Sequence, residues 1–523
     1  MSKEVSAITQ GDDLENQPVL DFEADDVGKD VATHGEAQAT SIPWYASRPV
    51  QLSGAALCVA GLTLGLVLGL AVDFDDDGGV RSSSPVAAPR RSLIEAPSSA
   101  SCDIKVEVAQ YFNVTKVPET DSTVALNIFN KRAYVLTPEN SASAANVESL
   151  DLSALIPGDY KTSYLSTPLK NVTVTETQLI TYIELLQKRT SISQFSQYAT
   201  SPCLWKMQSD NLATTFTGNT YDTSGAQLTE LQGSPTFVGY LANGEIAPET
   251  IQCAVSKEQA EGSMVATSEW IKFFGPFFQQ ECLANEIFEG IQKRYDCHKA
   301  KSDVFAKDYD PITVAIASKS EPYDYGPGYQ SDGFYKISDA GYWTRYIKDA
   351  GAIPIVETSA MDGLSNEGGS GYKFNLSDAA AFHKVLESAD IVIDETYFPG
   401  STAGITADEI LAAYDIPEGQ RSSFKFVQDK ALWRTDGRVN GRTPQGDDWF
   451  ETRYPEADVL LEDIIFALHP TYSSLIINPR HTLKWLRNMY SAPAQEILSE
   501  AMCLSVSEPA QLIADNCTSF KDN

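Results

Sequence analysis

Basic residues are scarce in this chain. Across 523 residues, 39 Lys and Arg stand against 71 Asp and Glu, a formal net charge of −32. Such a surface repels phosphate backbones and anionic headgroups, which argues against nucleic acid binding and against docking on lipid through a basic patch. Histidine is scarcer still, at five residues. His34, His298, His383, His469 and His481 show none of the short spacings that metal ligands use. The phosphate-binding and nucleophile signatures are missing too: no Gly-x-x-x-x-Gly-Lys-Ser/Thr, no Gly-x-Gly-x-x-Gly and no Gly-x-Ser-x-Gly. "GGSGY" at 368–372 has the wrong spacing for the last of these. No motif calls for a cofactor and nothing signals catalysis, so the expectation is not an enzyme.

What the chain has is one long uncharged run. Leu52 to Val72 carries no charge over 21 residues, enough to cross a ~30 Å hydrocarbon core as a helix. It is too long, and too far from Met1, for a cleaved signal peptide. Arg48 precedes it and Asp73, Asp75, Asp76 and Asp77 follow it. That asymmetry predicts a single-pass type II protein with its short tail in the cytosol and its bulk exoplasmic. Gly61, Gly65 and Gly69 recur every four residues and read either as a helix-dimerisation face or as the glycine common in such helices.

Beyond the run lie glycosylation sequons at Asn113, Asn171, Asn375 and Asn516, and seven of the eight cysteines. Cys503 and Cys517 are the expected local disulfide. Cys282 and Cys297 would be about 22 Å apart on one helix, too far to pair. An odd number leaves at least one cysteine free or paired between chains.

The expected organisation is a disordered tail over 1–48, a signal anchor over 49–73 and a Ser/Pro-rich stem over 74–101. A first lobe follows over 102–267, a linker helix over 268–300, a second lobe over 301–490 and a C-terminal extension over 491–523. "TVALNIFN", "RAYVLTP", "PTFVGYL" and "TIQCAV" read as strands of the first lobe, where Thr175 or Thr177 starts a helix. Trp270, Phe273, Phe274, Phe277, Phe278, Ile287, Phe288, Ile291 and Tyr295 fall mostly at helical spacing, with Ser268 as N-cap and Pro276 as kink or effective start. Then "ITVAIAS", "IPIVET", "DIVIDETY" and "FKFVQD", read as strands, alternate with helices, one of them capped by Ser377. This alternation predicts a mostly parallel sheet covered by helices. The fold expected is α/β, two Rossmann-like lobes joined by one long helix.

In "ADVLLEDIIFALHP", residues 457–470, Leu460, Leu461, Ile464, Ile465 and Leu468 share a buried helix face. Glu462 and Asp463 lie off that face and are expected in solvent, and His469-Pro470 ends the helix.

Several of these stretches resemble the class III periplasmic-type solute-binding proteins, which capture siderophores, cobalamin and haem. "KNVTVTETQLITYIELLQKRTSI", "YWTRYIKDAGAIPI" and "SADIVIDETYF" look like lobe elements. "SEWIKFFGPFFQQECLANEIFEGIQKRY" looks like the linker helix, and "GDDWFETRYPEADVLLEDIIFALHP" like the closing segment. "QYATSPCLWK" is similar to membrane-anchored, ferrichrome-binding-like members of algae. The resemblance spans about residues 102–490 and implies an exoplasmic receptor for a ferric siderophore.

Ligands of open α/β sheets sit beyond the carboxyl ends of the strands, here the cleft between lobes. The residues following the expected strands are Tyr323, Tyr325, Tyr329, Tyr335, Glu395, Tyr397, Trp433 and Arg434 in the second lobe, and Thr177, Gln197 and Tyr198 in the first. Tyrosines would wall a bulky chelate and Arg434 would pair with its anionic groups. Direct ferric-ion, haem or cobalamin binding is an alternative. Another is a lumenal glycosyltransferase, but Asp308-Tyr-Asp310 precedes its strand rather than following it. Downstream partners would be a transporter, a ferric reductase or an endocytic adaptor.

Overall fold

The computed structural model describes residues 102–510 and 517, apart from 142–146, 217–233, 240–248, 258–261, 325–329, 365, 367–370, 399–403, 443–446, 479–480 and 492–494. These residues belong to one compact unit, Gly65–Asn523. The tail, the apolar run with Gly61, Gly65 and Gly69, the stem, Tyr325, Tyr329 and Asn516 lie outside the described residues.

The fold is mixed α/β with several sheets. The strands β1 (Phe112–Lys116), β2 (Thr123–Asn127), β3 (Arg132–Pro138) and β4 (Lys161–Thr167) form a first sheet in that order. A five-stranded parallel sheet follows, built from β5 (Val172–Val174), β6 (Ile192–Ser196), β7 (Thr214–Phe216), β8 (Thr236–Gly239) and β9 (Thr250–Cys253). Its order, β7-β6-β5-β8-β9, puts the first strand at its centre. The crossovers run through α1 (Ile180–Leu185) and α2 (Pro202–Ser209). Neither expected threonine starts α1. The chain enters through a 3-10 turn at Thr177–Leu179, and the Thr177 side chain is used elsewhere.

The connector is broken where proline predicts. Short helices α3 (Val265–Glu269) and α4 (Ile271–Phe274) lead into a 3-10 turn at Gly275–Phe278, and Gln279 takes a left-handed φ of 54°. Only then does α5 (Glu281–Phe305) run 25 residues. Pro276 lacks the N–H that an unbroken helix would use. Ser268 is no N-cap. It is buried, and its hydroxyl accepts from Ala457 N at 3.3 Å.

A third, seven-stranded sheet holds β10 (Thr313–Ser320), β13 (Phe334–Ile337), β14 (Ile353–Pro354), β15 (Tyr372–Asn375), β16 (Ile391–Asp394), β17 (Leu432–Arg434) and β19 (Arg487–Asn488). Strands β14, β10, β16 and β17 are parallel, while β13 pairs antiparallel with both β10 and β15 at one flank and β19 pairs antiparallel with β17 at the other. Between β10 and β13 lies the hairpin β11 (Tyr323–Asp324) and β12 (Gln330–Ser331), and β18 (Arg438–Asn440) pairs with β20 (Glu496–Leu498). The helices here are α6 (Gly341–Asp349), α7 (Ala379–Leu386), α8 (Ala407–Ala413), α9 (Lys425–Gln428), α10 (Ala457–Leu468) and α11 (Ser473–Ile476). Asp378, not Ser377, caps α7 by accepting from Ala381 N. "FKFVQD" forms α9 rather than a strand. Phe424 and Phe426 both face the core, and a left-handed Lys430 turns the chain into β17.

The disulfides overturn the local pairing. Cys503 bonds Cys203 and Cys517 bonds Cys297, while Cys102 bonds Cys282. The partners are 300, 220 and 180 residues apart in sequence, joined by the packing of the termini onto α2 and α5. Cys253 is free and buried.

Candidate functional site: the seam between the lobes

The segment 447–456, between β18 and α10, meets the carboxyl ends of the first-lobe strands. Thr177, just after β5, donates its hydroxyl to Phe450 O at 3.4 Å, and Thr181 donates to Glu451 O at 3.4 Å. Past β6, Thr200 N donates to Glu451 Oε2 at 2.6 Å and Thr200 Oγ1 to Asp448 Oδ1 at 3.0 Å. Asn440 Nδ2 donates to Ala199 O at 2.9 Å. Arg442 reaches Gln208 at 2.8 Å and Glu500 at 2.6 Å, and the Cys203–Cys503 bond ties the same rim. The segments on either side of α5 therefore meet through a polar seam.

On the second-lobe side the wall is aromatic. Trp343 stacks on Trp449 with centroids 5.2 Å apart. Arg453 lies over the rings of Tyr342, Trp449 and Tyr454 at 4.9, 4.7 and 4.2 Å, distances at which a cation is attracted to a ring face. Glu395, just after β16, accepts from Trp343 Nε1 at 2.8 Å and Tyr342 OH at 3.2 Å. Burial pushes its carboxyl above the usual range, partly offset by those donors and by the charges of Lys336 and Arg453.

Glu176, at the end of β5, accepts from Gly239 N at 2.9 Å and from Gln178 Nε2 at 2.6 Å. A Cβ at position 239 would sit 2.4 Å from the Glu176 oxygens, so only glycine leaves room for this carboxylate.

The structure brings together some of the expected residues and disperses others. Thr177 bonds the 447–456 segment directly, while Glu395 reaches it through Tyr342 and Trp343, which pack on Arg453 and Trp449. Gln197 and Tyr198 are half-buried in the turn leading to Thr200, and Tyr397 is half-buried after β16. Tyr323 is exposed on β11, on a shallow pocket lined by Pro322, Asp324, Gln330, Ser331 and Asp332.

Three expected residues point inward. Tyr335 lies inside β13, stacks on Phe382 at 4.7 Å and hydrogen-bonds Asp415. Trp433 lies inside β17 and packs in the core. Arg434 is buried, bonded to Asp394, to Asp436 at 3.0 Å and to Thr396 O at 3.2 Å. Burial works against its charge, but the two carboxylates outweigh it and hold it protonated. With its donors committed to protein acceptors, Arg434 orders the sheet end rather than meeting an anion.

Sequence reasoning missed Glu451, Asp448, Thr200 and Arg453. The only available signal was the mix of acidic and aromatic residues in "DDWFETRYPEAD". Asn113, Asn171 and Asn375 are all exposed.

No protein-family model and no curated protein matches this sequence. Solved structures similar to it include a periplasmic haem-binding protein from Pseudomonas aeruginosa, at 12% identity and a TM-score of 0.39 over 62% of this chain and 100% of that one. The haem-binding protein HutB of Vibrio cholerae aligns at 13% and 0.38 over 56% and 99%. Helicobacter pylori CeuE with bound Ni(II) aligns at 11% and 0.36 over 58% and 84%.

Proposed function

We propose that the two lobes form a non-enzymatic receptor that captures a ferric siderophore of hydroxamate type for iron uptake. The observation that carries this reading is the convergence of strand ends from two α/β sheets, marked by Thr177 and Glu395, on one aromatic and polar wall. Strand carboxyl ends are where open α/β sheets take small ligands. The flat faces of Tyr198 and Tyr397 beside that wall suit a bulky chelate with polar edges. The receptor is anchored through Leu52–Val72 as a type II protein at the cell surface or an endocytic membrane. Exposed Asn113, Asn171 and Asn375 and three disulfides support an exoplasmic domain. A transporter, a ferric reductase or an endocytic adaptor would take over the cargo.

The test is titration of the full chain with a ferric hydroxamate, read by tryptophan fluorescence and thermal shift. Trp343 and Trp449 are buried in the core behind the seam, so a raised Tm is the primary expected response, with quenching reporting any repacking of these rings. Stabilisation by haem, cobalamin or free ferric ion instead would change the ligand class. Silence with all of them would overturn the receptor reading, and stabilisation by a nucleotide-sugar with Mn²⁺ would replace it with a transferase.

A further inference from the structure

The seam is closed by a carboxyl that has no cation. Glu451 is wholly buried. Its Oε2 accepts from Thr200 N at 2.6 Å, and its Oε1 has no hydrogen-bond partner among the described residues. Its own carbonyl accepts from Thr181 of α1, so side chain and backbone both grip the first lobe.

The charged groups around it are already engaged. From α1 comes Glu184, held by Arg189 Nε at 2.5 Å and Ser201 Oγ at 2.7 Å. Arg189 is further bound to the carbonyls of Val506 and Glu508 at 3.2 and 2.8 Å. Within the same turn comes Asp448, held by Thr200, by Thr452 Oγ1 at 2.6 Å and by Trp485 Nε1 at 3.1 Å. Arg438 lies 3.4 Å from Asp448 and 2.7 Å from Glu496. No ion pair among the described residues reaches Glu451, while two carboxylates face it. Burial raises its pKa well above the ordinary range; the hydrogen bond from Thr200 N pulls the other way, but Asp448 and Glu184 raise it further, so the acid keeps its proton.

We propose that Glu451 is a proton-operated latch between the lobes. Protonated, it lets the 447–456 segment seat against α1 and the Ala199–Thr200 turn; on losing its proton to solvent it loosens that contact. The sign follows from linkage. Above the unfolded-state pKa of about 4.3, the loosened seam releases a proton that the closed seam retains, so closure weakens as pH rises. The Cys203–Cys503 bond and the Arg442 cluster keep the rim tied, so the latch opens the interior of the seam without separating the lobes. It stands on the lobe contact alone: it can fail while ligand capture holds, and the reverse.

Hydrogen exchange of the full chain between about pH 5 and about pH 9, corrected for intrinsic rates, reads the latch directly. Peptides covering 177–186, 197–201 and 447–456 are expected to lose protection by about tenfold per pH unit above the open-seam pKa of about 4.3, while the closed seam still holds its proton, and to level off once Glu451 ionises in the closed seam as well. Peptides over β16 and β17 should show no such slope. Glu451→Gln, which holds a neutral side chain at every pH, should keep the seam protected throughout. A flat wild-type profile, or a Glu451→Gln profile that titrates like wild type, would overturn the proposal. Should Glu451→Gln fail to fold, infrared spectroscopy of the wild type decides. A protonated buried-carboxyl band at neutral pH that fades together with seam protection supports the latch, and its absence refutes it.

Discussion

Buried acids flank α10 on two sides, and they are balanced in opposite ways. Along the helix, Glu462 sits between His298 Nε2 at 2.6 Å and His481 Nδ1 at 3.3 Å. Next to it, Asp463 accepts from His481 Nε2 at 2.8 Å and from the backbone N–H groups of Lys484, Trp485 and Leu486 at 3.0, 2.7 and 3.2 Å. In the seam just before the helix, Glu451 has one backbone donor and no cation. Both regions are buried. Burial alone raises a carboxyl, and only the first region supplies partners that reverse it. Burial works against Glu462 as well, yet the two histidines beside it bring it down to about 2. The same carboxylates raise His481 to about 9 against the pull of burial. The histidine cluster therefore fixes α10 to α5 and to the 481–486 segment, while the seam is left able to respond.

The strongest way to break this contrast is Glu462→Ala. It strands His481 beside one carboxylate instead of two and removes the partner of His298. Breaking a buried ion pair by deleting one member costs about 3–5 kcal/mol. A urea titration of the full chain at neutral pH should show a loss of that size in unfolding free energy.

The pH profile sharpens the contrast next. His481 has a raised native pKa, so its stabilisation is complete below its unfolded value of about 6.5 and is lost as pH rises through about 9. Glu462 has a depressed one, so its share is complete above about 4.3 and is lost as pH falls through about 2. Urea midpoints across this range should fall at the alkaline end, and His481→Gln should remove most of that alkaline slope.

The histidine cluster also marks where sequence legibility stops. Leu460, Leu461, Ile464, Ile465 and Leu468 are buried as their spacing predicts. Glu462 and Asp463, expected in solvent, are buried too. Periodicity finds the greasy face, but what covers the other face comes from residues far away in sequence, here His298 and His481. The disulfides were hidden for the same reason. Strands β10 and β16 were legible because a buried apolar run is local information. Trp433 and Arg434 were misjudged through one prior error: with "FKFVQD" taken as the strand, they fell beyond its end, whereas they lie within β17. Thr177 and Glu395 lie just beyond β5 and β16, where the sequence places them, because the ends of those strands are legible.

Glu451→Gln should behave unlike Glu462→Ala. Replacing an uncompensated buried acid by its neutral isostere removes no ion pair and keeps the acceptor for Thr200 N. The change in unfolding free energy at neutral pH should stay within about 1 kcal/mol, the net worth of an ordinary hydrogen bond. A loss matching that of Glu462→Ala would mean that the seam acid is charged and paired, and the contrast would collapse.

The smallest effect belongs to the rim. Arg442 joins the lobes through Gln208, Ser209 and Glu500, and both Arg442 and Glu500 are about a third exposed. Its guanidinium also lies 5.3 Å from the Trp205 ring. Water and salt screen a pair of this kind, so Arg442→Ala should cost at most about 1 kcal/mol. Raising the ionic strength should shrink that cost further, since the Debye length falls from about 10 Å at 0.1 M to about 3 Å at 1 M. The Glu462 cluster, sealed from solvent, should keep its full cost in the same salt series. Equal salt sensitivity of the two variants would show that water reaches the histidine cluster, and that the two sides of α10 differ less than their partners suggest.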